Sequence, residues 1–274
     1  MRDSGGRPAE EAHRSCRVVR YHGSEPEPSE TDWLAAEEPL EIRIEGSPVA
    51  VVMRTPGADL DLVAGFLCTE GVIDGEDDIH AMAHVGDPPD PQGNTVDVVL
   101  APGVPAARRG MADRNLFASS SCGVCGKASI DRVFLHAPPL AKSPLPSPEV
   151  LHGLPGRMRE GQAVFERTGG LHAAGVFGTD GAPEVLREDI GRHNAVDKAV
   201  GALLRAGRMP LGDRILAVSG RAGFEIVQKA LLARIPVVAA IGAPSSLAAE
   251  LAIASNIALV GFLRNGRFNL YVAP

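Results

Sequence analysis

The sequence predicts an α/β protein, with a smaller α+β unit on the N-terminal side and a larger unit of alternating strands and helices after it. Two observations carry this. From about residue 149 onward, short apolar runs alternate with amphipathic stretches that end at glycine, the pattern of a sheet covered by helices on both faces. The chain of 274 residues is also 45% apolar but only 4% aromatic. Its core is therefore built from Ala, Val, Leu and Ile, as in tightly layered α/β packing.

Taken in order, residues 1–30 are polar and rich in Pro, Glu and Ser, and read as a flexible tail, with order expected from near Leu40. Residues 31–115 form the α+β unit. In "LEIRIEGSPVAVVMRTPG" the apolar residues alternate through Ile42 and Ile44, turn at "EGSP" and resume from Val49 to Met53, a β-hairpin. "LDLVAGFLCTEG" puts Leu62, Val63, Phe66 and Leu67 on one helical face, with Asp59 expected as the cap and Gly71 as the stop. A strand follows from Thr95 to Leu100. Residues 116–148 are Pro-, Gly- and Ser-rich and read as a linker between the units.

Residues 149–274 alternate. A helix is expected over Leu151 to Phe165, then strands at "GGLHAAGVFG" and "PEVLRED". Asp189 is expected to cap the helix "IGRHNAVDKAVGALLRAG", whose apolar face includes Ala195, Val196, Ala199, Val200, Leu203 and Leu204. "RILAVSG" and "PVVAAIG" are buried strands, and "FEIVQKALLARI" and "SSLAAELAIASN" are helices. "IALVGFL" and "RFNLYV" pair through "RNG", an Asn-Gly hairpin turn. This alternation predicts a mostly parallel sheet.

The formal net charge is −7, so no global basic field recruits nucleic acid. The N-terminus holds no apolar run of signal-peptide type, and Pro236, Gly242 and Pro244 interrupt the C-terminal apolar stretches. No membrane association is expected. The expected location is the cytoplasm, where thiols stay reduced.

That setting directs attention to "SSSCGVCGKAS" in the linker, where Cys122 and Cys125 stand three apart among glycines and before Lys127. One reading is half of a zinc site, but there is no second C-x-x-C, and histidines such as His172 or His193 would have to complete it. A thioredoxin-type disulfide is less suited, because the pair does not follow a strand of a βαβ unit. A third reading is sulfur relay, in which a thiolate takes the outer sulfur of a persulfide and carries it to an acceptor. The flanking glycines supply mobility and Lys127 favours the thiolate. Spacing alone does not choose between relay and zinc. A relay loop is expected to be mobile, whereas a zinc site would freeze it.

Three further stretches concern an anion. "REDIGRHNAVDKAVG" places His193 and Asp197 four apart on one helical face, with Arg192 and Lys198 nearby. It is either a solvated face or a helix start offering Arg, His and N–H groups to phosphate. "VSGRAGFEIVQKA" runs from a strand straight into a helix through Ser219, Gly220 and Arg221, and "GAPSSLA" repeats that turn. Ligands of open α/β sheets bind at such strand ends. Finally, Arg264 and Arg267 flank the Asn265–Gly266 turn, placed either to bind phosphate or to blunt a sheet edge.

Together these stretches resemble the FdhD family, the formate dehydrogenase accessory sulfurtransferases. The likeness is carried by "EEPLEIRIEGSPVAVVMRTPGADLDLVAGFLCTEGVI", "SSCGVCGK", "RTGGLHAAGVF", "EDIGRHNAVDKAVG", "SGRAGFEIVQKA" and "IPVVAAIGAPSSLAAELA". It implies a cytidine-deaminase-like three-layer C-terminal core and a homodimer. It implies a persulfide on Cys122, with Cys125 as its partner, loaded by a cysteine desulfurase. The acceptor implied is the Mo-bis(molybdopterin guanine dinucleotide) cofactor destined for the catalytic subunit of formate dehydrogenase, with GDP or GTP as mimics of its nucleotide ends. The family's cofactor-binding segment falls on Phe262, Leu263, Arg264, Asn265, Gly266 and Arg267. The turn residues Ser219, Gly220 and Arg221, and His193, are expected to join it. The zinc signature of deaminases, H-x-E with P-C-x-x-C, is absent from the C-terminal half, so no deamination is expected, and no residue is assigned to a metal. Two other readings stay open: a non-catalytic chaperone that binds the molybdenum cofactor, and a zinc-stabilised nucleotide-binding protein.

Overall fold

The computed structural model describes residues 12–86, 93–109 and 137–273. Order begins earlier than the sequence suggests. Strand β1 (His13–Val18) pairs antiparallel with β4 (Glu30–Ala35), and β2 (Tyr21–His22) and β3 (Glu25–Pro26) close the far end of the ribbon. This corrects the expectation of a tail through residue 30. The ribbon escaped the sequence reading because polar cross-strand pairs hold it, not an apolar face. Arg20 pairs with Glu30 and Asp32, Arg17 bonds Ser29, and Trp33 lies under the Arg167 guanidinium at 3.7 Å.

The expected hairpin is β5 (Glu38–Ile44) and β6 (Ser47–Arg54), turning through Glu45 and Gly46 at φ of 50° and 80°. Both central residues lie in the left-handed region that a primed two-residue turn demands. With β7 (Ile79–His84) and β8 (Thr95–Leu100) it makes a four-stranded sheet of order β6-β5-β8-β7. β7 reads "IHAMAH", too weak an alternation to be seen in the sequence. Helix α1 (Asp59–Thr69) covers the sheet. Asp59 is not its cap: Ala58 is, in left-handed conformation, and the Asp59 carboxylate takes two hydrogen bonds of 2.9 Å from buried Arg54. Gly71, at φ 78°, is the expected stop.

In the C-terminal unit the single helix expected over 151–165 is two. Helix α2 (Pro148–Glu160), whose Val150 N–H bonds the Ser147 hydroxyl, and α3 (Ala163–Thr168) are separated at Gly161, which lies against Leu186. Then follow β9 (His172–Gly178), β10 (Pro183–Asp189), α4 (Arg192–Arg205), β11 (Arg214–Val218), α5 (Phe224–Leu232), β12 (Val237–Ala240), α6 (Ser246–Ser255), β13 (Ala258–Arg264) and β14 (Arg267–Val272). The sheet order is β10-β9-β11-β12-β13-β14. Only β11–β12 and β12–β13 are parallel; the other three pairings are antiparallel. The expectation of a mostly parallel sheet is thus corrected. Short turns join β9 to β10 and β13 to β14, and short turns permit only antiparallel neighbours.

Helices cover both faces, as expected. On one, Leu151, Leu154 and Met158 of α2 bury against Phe177, Ile215, Ala239 and Val260, each burial contributing about 1.5–3 kcal/mol. On the other, α4, α5 and α6 share one continuous core with α1 and the N-terminal sheet. The two units are therefore fused. Where α1 crosses α4, Gly65 and Gly201 let the backbones touch: a Cβ on Gly65 would collide with the Asp197 carbonyl oxygen, and one on Gly201 with that of Asp61.

Candidate functional site

Residues drawn from five strands converge at one end of the six-stranded sheet. β9 begins there, at His172, while β10, β11, β12 and β13 end there. The turns after β11, β12 and β13 are laced by their backbones. Gly242 N–H donates to Gly220 C=O at 3.0 Å, Ser245 N–H to Ala222 C=O at 3.1 Å, and Phe262 N–H to Gly242 C=O at 3.0 Å. Gly242 has to be glycine, because a Cβ there would stand 2.8 Å from the Gly220 oxygen. Phe262 sits at φ 53°, inside a shift of register between β13 and β14. A bulky residue in that region costs about 1–3 kcal/mol and is held only by surrounding structure. Here the bulge turns the predicted cofactor segment onto the β12 turn.

Helices α4, α5 and α6 all start at this same strip. Ser245 caps α6, accepting from Ala248 N–H at 3.2 Å. The starts of α4 and α5, at Gly191 and Gly223, have no side-chain cap. Gly223 has an ordinary φ of −80°, and a Cβ there would meet nothing within 4 Å. Neither packing nor conformation demands that glycine, and its absent side chain leaves the first N–H groups of α5 open to a ligand. Helix N-termini with free N–H groups attract anions.

The side chains agree in sign. Arg192 and His193 open α4, Arg221 lies exposed in the β11 turn, and the Arg264 guanidinium is 5.7 Å from the Phe262 ring centroid. His193 Nε2 is 2.7 Å from Glu225 of α5, and this hydrogen bond lowers the Glu225 pKa. His172 has its pKa lowered, first by burial and then by Arg192 and His193.

Of the sequence-predicted residues, the structure brings Ser219, Gly220, Arg221, His193 and Phe262 into the strip. The Ser219 hydroxyl is partly engaged in the fold, accepting from Ala173 N–H at 2.9 Å. Arg264, Asn265, Gly266 and Arg267 form the exposed hairpin tip at its edge, with Asn265 and Gly266 at φ of 54° and 66°. Leu263 is different: it is buried in the core beneath α2. Cys122 and Cys125, with the whole segment from Ala118 to Lys127 that is expected to be mobile, lie outside the described residues. The sequence reading placed Arg192 at the anion-facing helix start without assigning it to the cofactor site, and it missed Glu225 and His172 as strip residues.

Asp189 holds the strip in place, and it does not cap α4 in the expected way. Fully buried at the end of β10, it is 2.7 Å from Lys198 Nζ and accepts from the N–H groups of Thr55 and Gly191 and from Asn194 Nδ2. Lys198 Nζ also donates to Thr55 C=O at 2.7 Å. Beneath His193, Asp197 accepts from Lys229 and from the Thr69 hydroxyl. Burial raises the Asp197 pKa. Burial alone would lower that of Lys229, but Asp197 and Glu70 hold it above its ordinary value. Beside Asp189, a cleft of about 260 Å³ lies between the Thr55–Ala58 loop and α3, and its charged lining residues Arg187, Glu188 and Lys198 are all paired within the protein. Among the described residues, no group of three or more His, Cys, Asp or Glu side chains is placed to hold a metal ion. None of the described helices is long and apolar enough to cross a membrane.

The model of the FdhD/NarQ family matches residues 35–274. A protein of Mycobacterium tuberculosis named sulfur carrier protein FdhD is 48% identical over 263 residues, covering 93% of this chain and 95% of its own. The proteins of that name from Streptomyces avermitilis and Anaeromyxobacter dehalogenans are 50% and 51% identical, each covering 88% of this chain and 87% and 86% of their own. A crystal structure from Desulfotalea psychrophila, described as a formate dehydrogenase accessory protein, superposes with a TM-score of 0.74. It is 23% identical and covers 96% of this chain and 98% of that one. It shares the fold.

Proposed function

Because the chain belongs to the FdhD/NarQ family, we propose that it is a sulfurtransferase that carries sulfur on Cys122 to a cofactor held at the strand-end strip. The Cys122 thiolate attacks the outer sulfur of a cysteine desulfurase persulfide. A new S–S bond forms on Cys122, the donor S–S bond breaks, and the donor leaves as its thiolate. The acceptor gives an electron pair to the outer sulfur, its bond to that sulfur forms as the S–S bond on Cys122 breaks, and Cys122 leaves as its thiolate, with Cys125 as the neighbouring thiol of the pair. The acceptor in this reading is Mo-bis(molybdopterin guanine dinucleotide), written here as substrate, and its destination is formate dehydrogenase. The reaction runs in the cytoplasm, and the protein works as a homodimer.

What supports the reading is the joining of two features in one chain. The strip offers two helix starts without side-chain caps, an open Gly223 and arginines from three separate segments, which suits the phosphates of a dinucleotide. The chain also carries the C-G-V-C pair, and a relative 48% identical to it is named a sulfur carrier protein. The C-terminal layering, helix–sheet–helix around six strands, fits the deaminase-like arrangement that the family resemblance implies. Intact-mass measurement after incubation with a cysteine desulfurase and cysteine tests the proposal. The expected product carries one extra sulfur atom, removed by a reductant and lost in Cys122→Ala, which also fails to mature formate dehydrogenase. Full maturation by Cys122→Ala, with cofactor binding intact, would instead make the protein a binding chaperone.

A further inference from the structure

One ring in the strip has no task in the fold. His172 opens β9, half-buried, beside Gly220. A Cβ on Gly220 would stand 3.3 Å from His172 Nδ1 and 3.9 Å from the Arg192 Cβ, so this glycine keeps a gap between the imidazole and the start of α4. The charged groups around the ring come from every neighbouring element. They are Arg192 and His193 from α4, Asp189 from β10, Arg221 in the adjoining turn, and Glu225 on α5, already bound to His193. Among the described residues nothing hydrogen-bonds the ring nitrogens. Burial first, then Arg192 and His193, push the His172 pKa below its ordinary 6.5, against the opposing pull of Asp189. Burial and the neighbouring positive groups together outweigh the pull of Asp189, which is already spent on Lys198, so the ring is neutral at neutral pH. A bound anion would remove that asymmetry.

We infer that His172 is a ligand-contacting residue of the strip, and that a phosphate-bearing ligand binds there with uptake of one proton onto its imidazole. This rests on the anion-binding part of the proposed function. Linkage gives the sign. A ring neutral in the free protein and protonated in the complex makes affinity fall as pH rises, by up to about tenfold per pH unit between its two pKa values. A ring that stays neutral contributes no slope.

The test uses the full chain and GDP, titrated calorimetrically between roughly pH 6 and 8 in two buffers of different ionisation heat. The wild type should take up protons on binding, and its affinity should fall with pH more steeply than that of His172→Gln, which hydrogen-bonds but does not titrate. Ionisation of the GDP phosphate is common to both proteins and cancels in the ratio. Imidazole NMR of the wild type, with and without GDP, gives a second readout that needs no variant: the His172 ring should move to the imidazolium pattern. Equal slopes in wild type and His172→Gln, or a ring that stays neutral in the complex, would overturn the inference while leaving the strip an anion site. No GDP binding at any pH would overturn both.

Discussion

Two regions of this molecule are crowded with ionisable groups, and they use them in opposite ways. In the seam where α1, α4 and α5 meet the Thr55 loop, Asp189, Lys198, Asp197 and Lys229 are buried and all partnered. In the strip at the sheet end, Arg192, Arg221 and Arg264 gather around a neutral His172; of the described carboxylates beside them, Glu225 is held by His193 and Asp189 by Lys198. One stretch, "DIGRHNAVDKAVG", supplies both. Its first helical turn faces the strip and its later turns face the seam. Buried charges that are paired fix geometry, while cations left without mutual partners await something from outside. The difference separates residues that shape the protein from residues that meet a ligand.

The sharpest way to break the seam is Asp189→Ala. It strands the Lys198 ammonium in the core and releases the Thr55 and Gly191 N–H groups together. The expected loss is about 3–5 kcal/mol of folding stability, read as a lower denaturant midpoint. A loss under 1 kcal/mol would show that water reaches Lys198 and that the seam is not dry. Gly65→Ala should cost less, about 1–3 kcal/mol, through overpacking at the helix crossing. The sign is diagnostic, since helix propensity alone favours alanine by nearly 1 kcal/mol. A stabilised variant would mean that α1 can shift off α4. The strip should behave in the contrary manner. Replacing both Arg264 and Arg267 with Ala should leave stability within about 0.5 kcal/mol, as is usual for exposed positions, yet weaken GDP binding about tenfold and reduce its dependence on salt. Unchanged binding would move the contact to the Ser219–Gly223 turn.

The same contrast explains what could be read from the sequence. The β5–β6 hairpin, α1, the Asn265–Gly266 turn and the two strand-to-helix turns were legible because each is encoded within about a dozen consecutive residues by periodicity or by turn chemistry. Asp189 was misplaced because its decisive partner, the Thr55 N–H, is 134 positions away, and capping is the only role a local reading can offer an aspartate before a helix. Asp59 was misplaced for a shorter-range version of that reason, with Arg54 claiming it from the preceding strand. Lys198 looked like part of a solvated helix face, and burial of a lysine is invisible without its carboxylate. Leu263 was carried into the cofactor segment by its neighbours, although alternation along β13 turns it into the core. His172 stands out only once three chain segments have met around Gly220.

The seam also bears on how the chain is made. Thr69 meets Asp197 across 128 residues, and the apolar face of α1, with Leu62, Val63 and Phe66, is sealed only when α4 arrives. At translation rates of roughly 5–20 residues per second, α1 leaves the ribosome about 6–25 s before its partner exists. Through that interval the nascent chain displays an apolar helix face with no partner from α4. Shielding by a chaperone during synthesis, and not the intrinsic stability of the finished fold, should therefore govern how much active protein a cell accumulates.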